Sequence, residues 1–177
     1  MDLIFVHGAL VRDGLWWWQR TADLLFERTG IRSRAVALPS CGETSPESLA
    51  GGLVADAAAL RAELDGLGGP GGSGGPGGPG SAIVVGHSYG GTVIAEAGTH
   101  PAVRHLLYVS SYLPAVGQAQ GMIMSGESDP VSIGDNGDGT LGVVGYDAAS
   151  FGQRFLQDTN TDTQRLAFER VTTQAVG

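Results

Sequence analysis

Cysteine is all but missing. Cys41 is the only one in 177 residues, so no intramolecular disulfide can form and a disulfide-stapled secreted scaffold is excluded. Four histidines beside one cysteine show no zinc-ligand spacing, and no metal is expected. Basic residues are scarce as well: ten Lys and Arg face 18 Asp and Glu, a formal net charge of −8. Phosphate binding depends on clustered cations, which argues against nucleic acid or an anionic membrane as a partner. No apolar run approaches the roughly 18 residues of a membrane-spanning helix, and no basic stretch leads into an apolar signal core. A cytoplasmic location is the expectation. What remains is a 42% hydrophobic chain, enough for one domain with a real core and too short for two ordinary ones.

Strand and helix patterns alternate along the first two thirds. Leu3–Val6 reads as a buried strand ending at His7-Gly8-Ala9, and residues 17–28 as a helix with Trp17, Leu24, Leu25 and Phe26 on its apolar side and Gly30 as a stop. Ala35–Leu38 reads as a second strand halted by Pro39. From Ser48 to Leu64, apolar residues recur at helical spacing through Leu49, Leu53, Ala57, Leu60 and Leu64. Residues 68–80 are glycine, proline and one serine, a connector with nothing to bury. Ala82–Val85 then reads as a third strand, Tyr89–Gly98 as a helix and Leu106–Val109 as a fourth strand. This alternation predicts an α/β fold, a doubly wound and mostly parallel sheet, within a single domain over residues 1–177. Its core would span residues 1–114. Residues 115–177 would form a small cap: a hairpin from Val131–Ile133 and Leu141–Val144 around Asp135-Asn-Gly-Asp-Gly139, then short helices over 148–157 and 161–171. The acidic turn is no calcium loop, because Gly137 and Gly139 stand where carboxylates are needed.

The third strand breaks at Gly86-His-Ser-Tyr-Gly90 and passes straight into helix. Such a turn mounts a serine nucleophile, with glycines where the backbone bends too tightly for a Cβ and the hydroxyl of Ser88 pushed outward. The pentapeptide alone carries little weight in a chain with 30 glycines, and Gly71-Gly-Ser-Gly-Gly75 also fits it. Context separates the two, since only the first lies between a strand and a helix. In a doubly wound sheet the chemistry gathers at the carboxyl ends of the strands. There the backbone N–H groups of Ala9 and Tyr89 would converge beside Ser88 as an oxyanion hole, while His7 braces the loop.

Phe5-Val-His-Gly-Ala9, the tryptophans downstream, Leu38-Pro39, Gly86–Gly91 and Leu107-Tyr-Val-Ser-Ser-Tyr-Leu-Pro114 together resemble the α/β-hydrolase superfamily. The likeness is to its small cofactor-free esterases, the group that includes plant methyl esterases and hydroxynitrile lyases. It implies Ser88 as nucleophile, Ala9 and Tyr89 as oxyanion donors, a small carboxylic ester as substrate, and no cofactor. The lyases of this group carry a threonine after the loop histidine; Gly8 stands there here, which favours an esterase.

The triad is where the chain departs from that pattern. A nucleophilic serine needs a base oriented by an acid, and the family's histidine comes late. The last histidine here, His105, is expected just before the fourth strand, on the order of 15 Å from the chemistry at about 3.3 Å per residue. His100 is no closer, and His87 is expected to point into the packing. Glu127 and Asp129 read as solvated. Base and acid are therefore expected beyond Gly177, with these residues alone turning over weakly. The fourth strand would be an open edge, covered by a missing segment or a second copy.

Smaller candidates weigh less. Gly8 and Trp16, with the adjacent Trp17 and Trp18, are candidate substrate-pocket residues, although three adjacent tryptophans more often anchor a helix to a sheet. Cys41 lacks a partner histidine, and Met122 and Met124 read as packing rather than substrate contacts. The rival to an esterase is an inactive hydrolase-like binding module. A dinucleotide-binding protein fits less well, since His-Gly-Ala replaces Gly-x-Gly-x-x-Gly after the first strand.

Overall fold

The computed structural model describes residues 1–44, 51–68 and 80–176. Its centre is a parallel sheet in the order β2-β1-β3-β4, built from β1 (Asp2–Val6), β2 (Ser33–Ala35), β3 (Ala82–His87) and β4 (Val103–Val109). Helix α1 (Gly14–Thr29) leads from β1 to β2, α2 (Gly52–Asp65) comes before β3, and α3 (Tyr89–Ala97) joins β3 to β4. Strand pleating sends neighbouring residues to opposite faces, and each face has its own core. Ile4, Val6 and Val84 pack with Leu60, Leu64 and Ile94, whereas Leu3, Phe5 and Val85 meet Trp18, Ala22 and Leu25 of α1. Helices cover both faces, the doubly wound arrangement that the alternation predicts.

Several boundaries differ from the pattern reading. The side of α1 that packs on the sheet is Trp18–Ala22–Leu25, at spacings of four and three, with Trp18 stacked on Phe5 at 4.4 Å. Leu24 and Phe26 are 43% and 54% exposed, so they do not form the apolar face expected of them. Strand β2 pairs through Ser33–Ala35, and Pro39–Cys41 forms a 3-10 turn. Val36 and Leu38 are buried, but beyond the ladder: apolar character reports burial, not strand pairing. Strand β4 starts at Val103, so His105 lies within it, opposite Ile83, rather than before it. Arg104 and His105 hide the strand's start because an edge strand tolerates exposed polar residues. Among the described residues β4 pairs with β3 alone, and Leu107 is 52% exposed.

Beyond β4 come α4 (Gln120–Met124), the antiparallel hairpin β5 (Ile133–Asp135) and β6 (Thr140–Val143), α5 (Ala148–Phe155), α6 (Thr161–Phe168) and β7 (Gln174–Ala175), which pairs with β6. A hairpin and two later helices form as expected but with other bounds: the first hairpin strand is Ile133–Asp135 rather than Val131–Ile133, and the helices end at Phe155 and Phe168; α4 and β7 are too short to have a pattern. Helix α5 starts from a capping box between Asp147 and Ser150. The expected helix start at Ser48, the second Gly-x-Ser-x-Gly match and most of the 68–80 connector lie outside the described residues. Among the described residues no helix is long and apolar enough to cross a membrane.

Candidate active site

Strand β3 ends in a backbone corner at Ser88, with φ 51° and ψ −122°, a region that costs a residue with a side chain about 1–3 kcal/mol. The corner is tight enough to demand its glycines. A Cβ on Gly86 would lie 2.5 Å from the Gly90 carbonyl oxygen, and one on Gly90 only 2.4 Å from that of Val6. The elbow is thus pressed against the end of β1, which sets the following loop beside it: a Cβ on Gly8 would lie 3.3 Å from Ser88 Cβ. Gly8, Ala9 and Ser88 border one cavity of about 470 Å³. Among the described residues the Ala9 and Tyr89 N–H groups donate to no acceptor, and Tyr89 opens α3, where the helix dipole is positive.

His7 braces this loop. It is 2% exposed, with Nδ1 2.8 Å from the Gly8 carbonyl and Nε2 2.6 Å from Glu43 Oε2. Both partners are acceptors, so only the doubly protonated ring donates to both. The Glu43 carboxylate also accepts from the Leu38 N–H at 2.6 Å, the Asp13 N–H at 2.5 Å and the Gly14 N–H at 3.3 Å. Burial alone would raise its pKa; the bond and charge of His7 and the backbone donors outweigh that and hold the carboxyl below its ordinary value. Behind the elbow, the Tyr89 hydroxyl donates to Asp56 Oδ2 at 2.7 Å. Burial, then the Asp56 charge, pushes the phenol up. Ser111 Oγ donates to the Ser88 carbonyl at 2.6 Å, tying the elbow to the segment after β4.

Two expected placements are corrected. Trp16 does not line the cavity; Trp17 and Trp18 do. One residue turns a helix by about 100°, which sends Trp16 outward, where the Arg170 guanidinium lies 4.3 Å from its ring centre. His87 faces the cavity rather than the packing, because β3 runs on to include it. Burial in the wall, then the charge of His7, lowers its pKa. Elsewhere His100 pairs with Asp65 at 3.0 Å, and Asp129 with Arg154 at 2.8 Å. Cys41 is 1% exposed, its thiol pushed up to about 12 by burial. Met124 borders the cavity whereas Met122 is 67% exposed. Most of the cavity wall is apolar, with Val143, Phe151 and Phe155 closing it from the hairpin and α5.

Sequence reasoning missed Glu43 and Asp56. Glu43 stands in a short polar loop that carries no periodic signal. Asp56 did carry one: three residues after Leu53 and four before Leu60, it falls on the face of α2 marked as apolar, where a carboxylate must find partners.

An elbow serine, a glycine-bearing loop after the first strand and an apolar cavity at the carboxyl edge of a doubly wound sheet recur in one family. Residues 3–176 match its model, the Alpha/beta hydrolase family, and the chain belongs to it. Among individual proteins, "Probable hydrolase R7" of Phoma sp. is 32% identical over 91 residues, 49% of this chain and 34% of that protein. The chain thus matches about a third of that relative's length. Solved structures show the same fold. Tomato methylketone synthase I, complexed with 2-tridecanone, superimposes with a TM-score of 0.70 at 19% identity, covering 99% of this chain and 67% of that one. A variant of the pyrethroid hydrolase PytH gives 0.73 at 21%, covering 99% and 68%. Polyneuridine aldehyde esterase gives 0.70 at 16%, covering 99% and 69%.

Proposed function

We propose that this chain carries the nucleophile and oxyanion hole of a serine hydrolase acting on a small carboxylic ester with an apolar group. The observation that carries this reading is Ser88, held at a strained corner beside a cavity, with the Ala9 and Tyr89 N–H groups without acceptors among the described residues. Ser88 Oγ attacks the ester carbonyl, and the oxygen that gains charge accepts from the Ala9 and Tyr89 N–H groups. Collapse of the tetrahedral adduct expels the alcohol and leaves an acyl group on Ser88, which water then removes. The apolar wall built by Trp17, Phe151 and Phe155 receives the larger group of the ester. No cofactor enters these steps. The relatives' printed names, a hydrolase and an esterase, are consistent with this chemistry.

A base must take the Ser88 proton. Among the described residues the two histidine–carboxylate pairs are engaged elsewhere, His7 with Glu43 under the loop and His100 with Asp65, and His87, although in the cavity wall, has no carboxylate to orient it. The reading therefore assigns no base and expects slow turnover from these residues alone. A long-chain alkyl fluorophosphonate tests the nucleophile without needing turnover. The intact chain is expected to gain one phosphonyl group, located on Ser88 by peptide mass, while Ser88→Ala stays unlabelled. Ser88→Ala is also expected to bring the hydrolysis of p-nitrophenyl butyrate down to the buffer rate. Equal labelling of both proteins would remove Ser88 from the mechanism.

The same engaged histidines favour a second reading, a hydrolase-like module that binds without turnover. A stable dimer with no Ser88-dependent labelling would select it.

A further inference from the structure

The loop that carries Ala9 is strained. Leu10 is 4% exposed and adopts φ 61°, and Asp13 adopts φ 67°. Neither is a glycine, and such conformations persist only where the surroundings over-determine them. The surroundings here are the stretch leading into β7. The Arg12 N–H donates to the Arg170 carbonyl and the Thr172 N–H to the Leu10 carbonyl, both at 2.9 Å, and Val11 bridges Val171. The Leu10 N–H goes to Gln174 Oε1 at 3.1 Å.

Gln174 uses its other end in the opposite direction. Its Nε2 donates to Ser40 Oγ at 3.0 Å, and Ser40 Oγ donates to Asp56 Oδ2 at 2.6 Å. Asp56, fully buried, accepts the Tyr89 hydroxyl on that same oxygen. An unbroken chain therefore runs from Leu10 through the buried Gln174, Ser40 and Asp56 to the half-buried Tyr89. Its two ends are neighbours of the chemistry: Leu10 follows Ala9, and Tyr89 follows Ser88. Five segments of the chain meet in it, and its polar groups depend on one another for their partners.

We propose that Gln174 is a positioning residue that fixes the spacing of the two oxyanion donors, by tying the Ala9 loop through Ser40 and Asp56 to the elbow. This rests on the oxyanion reading given above. Donors of this kind act only when aimed to within about 0.5 Å, and the strained loop would otherwise relax away from Ser88. A glutamine that merely filled space would affect stability and leave the aim of the N–H groups unchanged.

The test uses the full chain and nonyl methyl ketone labelled with heavy carbon at its carbonyl, read by isotope-edited infrared spectroscopy. In the unchanged protein the bound carbonyl is expected at lower frequency than in hexane, because two N–H groups donate to it. In Gln174→Met the band is expected to broaden and move back toward the hexane position, with fluorophosphonate labelling slowed about tenfold and ketone affinity changed less than about threefold. Ser40→Ala breaks the same chain at its middle and is expected to shift the band likewise, which decides the matter if Gln174→Met does not fold. A lowered frequency retained in either folded variant overturns the role of Gln174 alone. No lowering in the unchanged protein overturns the oxyanion reading and this proposal together.

Discussion

The two ends of the central strands are built differently. At the amino ends the backbone is conventional and paired: the Asp2 N–H reaches the Ser81 carbonyl at 3.0 Å, Leu3 that of Arg32 at 3.1 Å and Ala82 that of Ala102 at 2.8 Å. At the carboxyl ends it is strained. Leu10 and Asp13 beyond β1, Ser88 beyond β3 and Ser110 beyond β4 are the non-glycine residues with positive φ among those described. The same end holds the glycine corner pressed against β1, the two N–H groups that donate to no acceptor among the described residues, and the cavity. A strand ladder is indifferent to direction in this respect, so the asymmetry is not a property of the sheet. It comes from what is pressed against one end, and that end is where a reaction needs fixed dipoles.

If the carboxyl end is held by close approach, filling the gap there should cost most. Gly90→Ala is expected to lose about 3 kcal/mol or more in urea unfolding, since the new Cβ meets the Val6 and His7 carbonyls at 2.4 and 2.6 Å. A cost below about 1 kcal/mol, or the gain that Gly→Ala ordinarily brings inside a helix, would break the comparison. Glu43→Gln should come next, at about 2 kcal/mol near neutral pH, because a charged acceptor shared by His7 and backbone donors becomes a neutral amide.

The pH dependence of that difference follows from its sign. The folded Glu43 carboxyl lies below its unfolded value of about 4.3. Its contribution is therefore full above that value and fades as pH falls through the lowered folded one. Thermal melts of the two proteins should converge in acid. Ser88→Gly should work in the opposite direction, gaining about 1 kcal/mol by releasing strain at φ 51°. A loss would mean that the corner is not strained. The smallest effect belongs to Gly66→Ala, the same added methyl as in Gly90→Ala but with nothing within 4 Å of it. A change within about 0.5 kcal/mol is expected there.

How much of this was legible in the sequence depends on whether the interaction is local. The elbow could be read because strand, corner and helix are contiguous from Ala82 to Ala97, and glycine spacing encodes the close approach directly. The double-sided core could be read for the same reason, from the runs at Leu3 and Ala82. The expected roles of Ser88, Ala9 and Tyr89 came from that pattern and remain the proposal made above. Trp16 was misplaced because adjacent tryptophans share a composition but not a direction, and only the crossing of α1 over β1 decides which of them reaches the cavity. His87 was misread because the strand's end was set two residues too early. The Gln174–Ser40–Asp56 chain could not be read at all, since its members are 16 to 134 residues apart and none carries a periodic signal toward the others. Asp56 alone advertised itself, as a carboxylate on an apolar helix face.

Cys41 sits under this arrangement, sealed beside Ser40 with its thiol pushed up to about 12. At neutral pH almost no thiolate exists there, and no reagent reaches the sulfur while the 39–41 turn stays seated. Alkylation must then wait for the moments when that turn lifts. The lone sulfur thus serves as a built-in clock, ticking once each time the floor beneath the loop breathes.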